Sequence, residues 1–92
     1  MEDVERMASS IRKFQKVAIY PLSVKYGDDV SSFAEYCISP ESPGRGSQFE
    51  VEEPFEATFL NYDGNFLYLS TEAHSCIRIA VAYVKQIFLI YG

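Results

Sequence analysis

The chain has 92 residues and a mass of 10.5 kDa, 48% hydrophobic and 15% aromatic, with seven Tyr, seven Phe and no Trp. That is room for one domain and one core, and it is too apolar for a disordered tail. A net charge of -5 and a pI near 4.7 exclude the overall basic excess of a protein held on nucleic acid mainly by phosphate contacts, so any such binding must use a local patch. A domain this small leaves much apolar surface open, which makes self-association an expectation from the outset.

Val4, Met7, Ala8, Ile11 and Phe14 recur at helical spacing, with Glu2, Asp3 and Glu5 in front and Arg12, Lys13 and Lys16 behind. The pattern predicts one amphipathic N-terminal helix. From Val17 the chain turns β-branched and aromatic (Ile19, Tyr20, Leu22, Val24, Tyr26), and Pro21 within that run suggests an edge strand or a bend. Gly27-Asp28-Asp29 reads as a turn and Ser31 to Ile38 as a further strand. The stretch from Ser39 to Ser47 is dense in Pro, Gly and Ser and is expected to be a flexible loop.

In the last third, Phe55, Ala57 and Phe59 alternate with Glu56, Thr58 and Leu60, Asp63-Gly64 supplies a hairpin signal, and Phe66 to Leu69 begins the return strand. After a polar link from Thr71 to Ser75, the run from Cys76 to Val84 places Ile77, Ile79, Val81 and Tyr83 on one face. Lys85-Gln86 breaks it before Ile87 to Tyr91. These segments predict a mainly β domain over 1–92: a helix, then a small, strongly bent barrel of five antiparallel strands. The last strand is apolar on both faces, and a neighbouring copy added along its edge would cover it.

Cys37 and Cys76 belong to no C-x-x-C pair and His74 is the only histidine, which argues against zinc and leaves no cofactor expected. Glu2, Asp3 and Glu5 stand where a signal peptide would be basic, so the expected compartment is cytoplasmic, with both thiols reduced. The apolar runs are shorter than the ~20 residues that span a bilayer. No G-x-S-x-G, H-E-x-x-H or Walker-type sequence occurs, and the chain is expected not to be an enzyme.

The order helix, five bent strands, aromatic-Asp hairpin and aliphatic strand ending in Gly resembles the Sm-like (LSm/Hfq-type) family, whose barrel is SH3-like. Against the motif Gly-x-Leu-x-x-aromatic-Asp-x-x-Met-Asn-Leu, Ala57 stands at the glycine, Phe59 at the leucine, Tyr62 at the aromatic and Asp63 at the aspartate. Phe66 stands at the methionine and Leu67 at the asparagine, while Ile90-Tyr91-Gly92 replaces aliphatic-Arg-Gly. Leu22 to Val30 would be the family's first strand and turn, which makes residues 31–53 an insertion.

The resemblance implies a homo-oligomeric ring of five to seven subunits, pairing the fourth strand of one copy with the fifth of the next, and non-catalytic binding of single-stranded RNA. The implied interface residues are Val81, Tyr83, Ile87, Phe88, Leu89 and Ile90. The implied RNA candidates are Asp63, Asn65, Phe66 and Tyr91; separately, every charged residue between Met7 and Lys25 is basic, and a ring would repeat Arg12, Lys13 and Lys16 as a basic collar able to hold phosphates.

Each has an ordinary reading beside it. Asn65 is a common turn residue, Asp63 an organiser of its loop, Phe66 a barrel filler, Tyr91 a subunit contact, and the three cations a complement to the helix C-terminus. Arg78 is either a pore or interface residue or a snorkelling side chain. Leu67 and Tyr91 weaken the family's uridine pocket, which leaves a second reading open: a structural or protein-interaction ring that has lost RNA binding.

Overall fold

A computed structural model describes residues 4–22, 32–39, 41 and 46–91. The elements are helix α1 (Val4–Ser10) and strands β1 (Lys16–Pro21), β2 (Ser32–Tyr36), β3 (Gln48–Val51), β4 (Phe55–Tyr62), β5 (Phe66–Ser70) and β6 (Ile77–Ala80). A 3-10 turn (Val81–Tyr83) leads into β7 (Val84–Leu89). The architecture is mainly β with a short N-terminal helix, as expected, but the strand number is not. Among the described residues seven strands form one antiparallel sheet in the order β3-β2-β6-β5-β4-β1-β7, with β3 and β7 at its edges, in place of a closed barrel of five.

The two strands beyond the expected five, β2 and β3, lie within the stretch 31–53 that the resemblance set aside as an insertion. β2 and β3 form an antiparallel pair, Ser32 opposite Val51 and Ala34 opposite Phe49, and β2 also pairs with β6 through Ala34↔Ile79, Glu35↔Arg78 and Tyr36↔Ile77. The other five strands run consecutively as β7-β1-β4-β5-β6.

Period-two burial sets the inner face. Val17 and Ile19 of β1, Ala57 and Phe59 of β4, Leu67 and Leu69 of β5, Ile77 and Ile79 of β6 and Ile87 of β7 meet in one core, with Val4, Met7 and Ile11 packed against it from the N-terminal segment. A bulge between Phe59 and Asn61 shifts the β4–β5 register before the hairpin. The hairpin falls at Asp63-Gly64 as predicted. Asp63 Oδ1 accepts the backbone N–H groups of Asn65 and Phe66, each at 2.9 Å, and Gly64 sits at φ +99, where a side chain would strain the backbone.

Other expectations change. The helix ends at Ser10, short of Phe14, because the chain is diverted into β4: the Phe14 N–H donates to the Phe59 carbonyl (2.7 Å) and the Phe59 N–H to the Gln15 carbonyl (2.8 Å). Lys16 therefore opens β1 rather than closing the helix. β1 is not an edge strand, since β4 and β7 flank it, and Pro21 is accommodated at its last position, where the β7 register shifts. The run from Cys76 to Val84 is broken at Val81–Tyr83, where the chain turns from β6 into β7, and Lys85 and Gln86 lie within β7. Gly27 to Asp29, most of Leu22 to Val30, part of the Ser39 to Ser47 loop, and Gly92 lie outside the described residues.

Candidate functional site

Two features of the described surface have the makings of a site: a groove beside β3 and β4, and a polar network across β5, β6 and β2.

The groove has a volume of about 780 Å³, within the range of roughly 300–1,000 Å³ usual for ligand sites. Its apolar lining includes Phe49 and Val51 of β3, Phe55 and Ala57 of β4 and Ile77 of β6. Its charged lining is Glu50, Glu53, Glu56 and Glu72 against Lys16, with His74 nearby. Glu50 lies on β3, Glu53 in the link to β4 and Glu56 on β4. The fold brings them to one groove and adds Glu72 from the link after β5.

The wall at one side is aromatic. Tyr36 stacks on Phe49 (centroids 4.7 Å, 27°) and meets the His74 ring edge-on at 4.5 Å. His74 is set by a Thr71 turn, in which its N–H donates to Thr71 Oγ1 at 3.1 Å and its carbonyl accepts from the Thr71 N–H at 2.9 Å. Nothing in the sequence spacing pointed to this meeting of Tyr36, Phe49 and His74, because three separate segments supply it.

The network lies on the other face of the sheet. Arg78 is directly across from Tyr68 on one side and Glu35 on the other. Its Nε donates to Glu35 Oε1 at 2.9 Å and a second nitrogen lies 2.9 Å from the same oxygen. Nη1 donates to the Tyr68 hydroxyl at 3.4 Å, and the guanidinium carbon lies 4.1 Å from the Phe66 ring centre. Tyr68 in turn donates to Asp63 Oδ2 at 2.9 Å.

Partial burial works to raise the Asp63 pKa. The Asn65 and Phe66 N–H groups, the Tyr68 hydroxyl and the Arg78 charge outweigh it, and the carboxyl titrates below its ordinary 3.8. Burial raises the Tyr68 pKa, its bond to Asp63 adds to that, and Arg78 opposes it. Burial alone would lower the Arg78 pKa, but Tyr68 and Glu35 reverse the direction. The fold thus occupies Arg78 within the chain, as a strap holding β2 to β6.

The positions singled out by sequence scatter accordingly. Asp63 and Asn65 are exposed at the hairpin, Phe66 is half-buried beneath Arg78, and Leu67, at the family's asparagine position, is 0% exposed. Tyr91 is exposed at the end of the described chain. Arg12 and Lys13 are exposed beside Phe14, which is 72% exposed, while Lys16 lies apart from them on the groove.

Of the interface candidates, Ile87 is a core residue of its own chain, and Val81, Tyr83 and Leu89 pack against that core. Ile90 is half-buried, its N–H donating to the Lys16 carbonyl. Phe88 is 46% exposed, with Tyr20 edge-on to its ring at 5.3 Å. The outer edge of β6, which the family's strand pairing would use, carries β2.

Among the described residues, no group of three or more His, Cys, Asp and Glu side chains could hold a metal ion, and no helix is long and apolar enough to cross a membrane. In comparisons with known proteins, no family model, curated protein or solved structure matches the chain. The fold and site define it as a small antiparallel β protein with an N-terminal helix and an acidic groove.

Proposed function

We propose that the protein is a non-catalytic binding domain whose groove takes a basic segment of another protein. The observation that carries this is the groove's make-up: an apolar floor of Phe49, Val51, Phe55 and Ile77 under four glutamates and one lysine. Such a surface rewards Lys or Arg side chains that bury their methylene stems while their charged ends meet the rim. It repels phosphates. The buried Leu67 and the internally paired Arg78 support the same reading, since neither is available to read a base.

A labelled peptide alternating Lys or Arg with Leu, titrated in an anisotropy assay over a salt series, tests it. Binding that weakens with salt and is lost in a Glu53→Lys, Glu56→Lys variant is the expected result, and no binding at low salt refutes the reading.

A second reading is an Sm-like ring that binds single-stranded RNA. Its support is the unbroken strand run β7-β1-β4-β5-β6 and the exposed turn of Arg12, Lys13 and Phe14, which pairs two cations with an aromatic ring able to stack on a base. Oligo-uridine in the same assay separates the two: salt-sensitive RNA binding lost in an Arg12→Ala, Lys13→Ala variant favours the ring, as does a mass of five to seven subunits by native mass spectrometry.

A further inference from the structure

The only two cysteines of the chain lie far apart in sequence and together in the fold. The β2–β6 register, Glu35↔Arg78 and Tyr36↔Ile77, continues one step past the strand ends to set Cys37 directly opposite Cys76. The Cys37 N–H donates to the Cys76 carbonyl at 3.1 Å. Opposed residues of a hydrogen-bonded antiparallel pair have Cα atoms about 5.5 Å apart, inside the about 4.4–6.8 Å that a disulfide spans. Side chains of directly opposed residues leave the same face of the sheet, and the Cys76 thiol is near enough to act on the Cys37 thiol.

We propose that Cys37 and Cys76 are a redox site, closing to a cross-strand disulfide that staples β2 to β6. The co-reactant is a small-molecule disulfide such as oxidised glutathione. Cys37 is half-buried and Cys76 is 5% exposed, so exchange starts at Cys37. Its thiolate attacks the glutathione disulfide and expels one glutathione thiolate. Cys76, deprotonated in its turn, then attacks the Cys37 sulfur of the mixed disulfide and expels the second. Two protein thiol protons and two electrons end on two molecules of reduced glutathione, and one sulfur–sulfur bond has moved into the protein.

Burial, and after it the hydrogen bond and charge of Cys76, push the Cys37 pKa up to about 12, so little thiolate is present at neutral pH. Closure is therefore slow there and speeds up about tenfold per pH unit. Once formed, the bridge fixes one wall of the groove: Tyr36, beside Cys37, stacks on Phe49 and meets His74 edge-on, and Ile77, beside Cys76, lines the cavity. It forms or fails whatever the groove binds.

The test treats the full chain with oxidised glutathione at neutral and alkaline pH, quenches in acid, caps remaining thiols with N-ethylmaleimide and weighs the intact protein. The expected product has lost two hydrogens, carries no cap, gives a Cys37–Cys76 cross-linked peptide and forms faster at the higher pH. Its melting temperature is raised by roughly 10–20 °C over the reduced form, as for a bridge closing a long loop.

Cys76→Ser should stop at a single glutathione adduct. Two capped thiols, or the same lone adduct on the wild type after prolonged oxidation and after refolding in the oxidant, would overturn the proposal. A bridged form that melts no higher than the reduced one would overturn the staple.

Discussion

Replacing Leu67 with Asn restores the residue that the Sm-like motif carries at this position, and it puts the site assignment at risk. Leu67 is 0% exposed, pairs with Tyr62 and Ile79 across its two neighbours and faces the shared core. Removing a fully buried leucine side chain costs about 2–3 kcal/mol of transfer free energy, and leaving an amide without partners adds about 1–3 kcal/mol. The expected loss is therefore about 4 kcal/mol, out of roughly 5–14 kcal/mol for a domain of this size.

Urea unfolding followed by far-UV circular dichroism should show the midpoint falling by roughly 2–3 M. Leu67→Ala, which leaves a cavity without a stranded amide, should lose about 2–4 kcal/mol. A Leu67→Asn loss below about 1 kcal/mol, together with new oligo-uridine binding, would put position 67 on a ligand surface and refute the core assignment.

Three other perturbations follow from the geometry. Arg78→Met and Glu35→Gln, combined in a double-mutant cycle, should give a coupling of about 1–2 kcal/mol by urea unfolding, because the side chains are only 17% and 21% exposed; a coupling near zero would remove the strap between β2 and β6. Asp63 is held below its ordinary 3.8, so the stability it contributes is complete above that value and is lost as pH falls through the lower folded value. Asp63→Asn should flatten that acid limb of the stability profile. Phe14 sits at φ +67 with its ring 72% exposed, so Phe14→Gly relieves strain with little packing lost and should leave the protein as stable or up to ~1 kcal/mol more so in thermal melts.

What the sequence revealed and what it hid divide along physical lines. The Asp63-Gly64 hairpin was legible because its residues act on their own backbone, one accepting two N–H groups and the other taking a positive φ. The inward faces of β1 and β6 were legible from period-two alternation at Val17 and Ile19 and at Ile77 and Ile79. The break at Val81–Tyr83 was not, because a 3-10 turn of apolar residues leaves no polar or glycine mark. Helix length was overestimated because Phe14 kept the apolar spacing while its N–H served Phe59. The groove, the Tyr36–Phe49–His74 cluster and the Cys37–Cys76 pair were invisible for one shared reason: each is assembled by β2 or β3 folding back onto distant strands, and register between remote segments leaves no local pattern.

The β2–β3 pair bears on which edges a second copy could use. The Sm-like pairing of one copy's fourth strand with the next copy's fifth would need an open edge on β6, and here β2 fills that edge with a three-residue register, reinforced by Arg78–Glu35 on one face and Ala34 against Ile79 on the other. Among the described residues the edges left open are β3, which carries Glu50 and borders the acidic groove, and β7, which carries Lys85 and the half-exposed Phe88. Strand addition from these edges joins an acidic strand to a partly basic one, a heterologous contact that closes into a ring only if the rotation per subunit allows. Releasing β2 to recover the β6 edge would break the Arg78–Glu35 pair and uncover Ala34 and Ile79, and a Cys37–Cys76 bridge would forbid that release while it lasts. If copies of this chain pair by strand addition, the β2–β3 pair that lines the groove would stand between the two modes, and the proposed bridge would hold that pair in place.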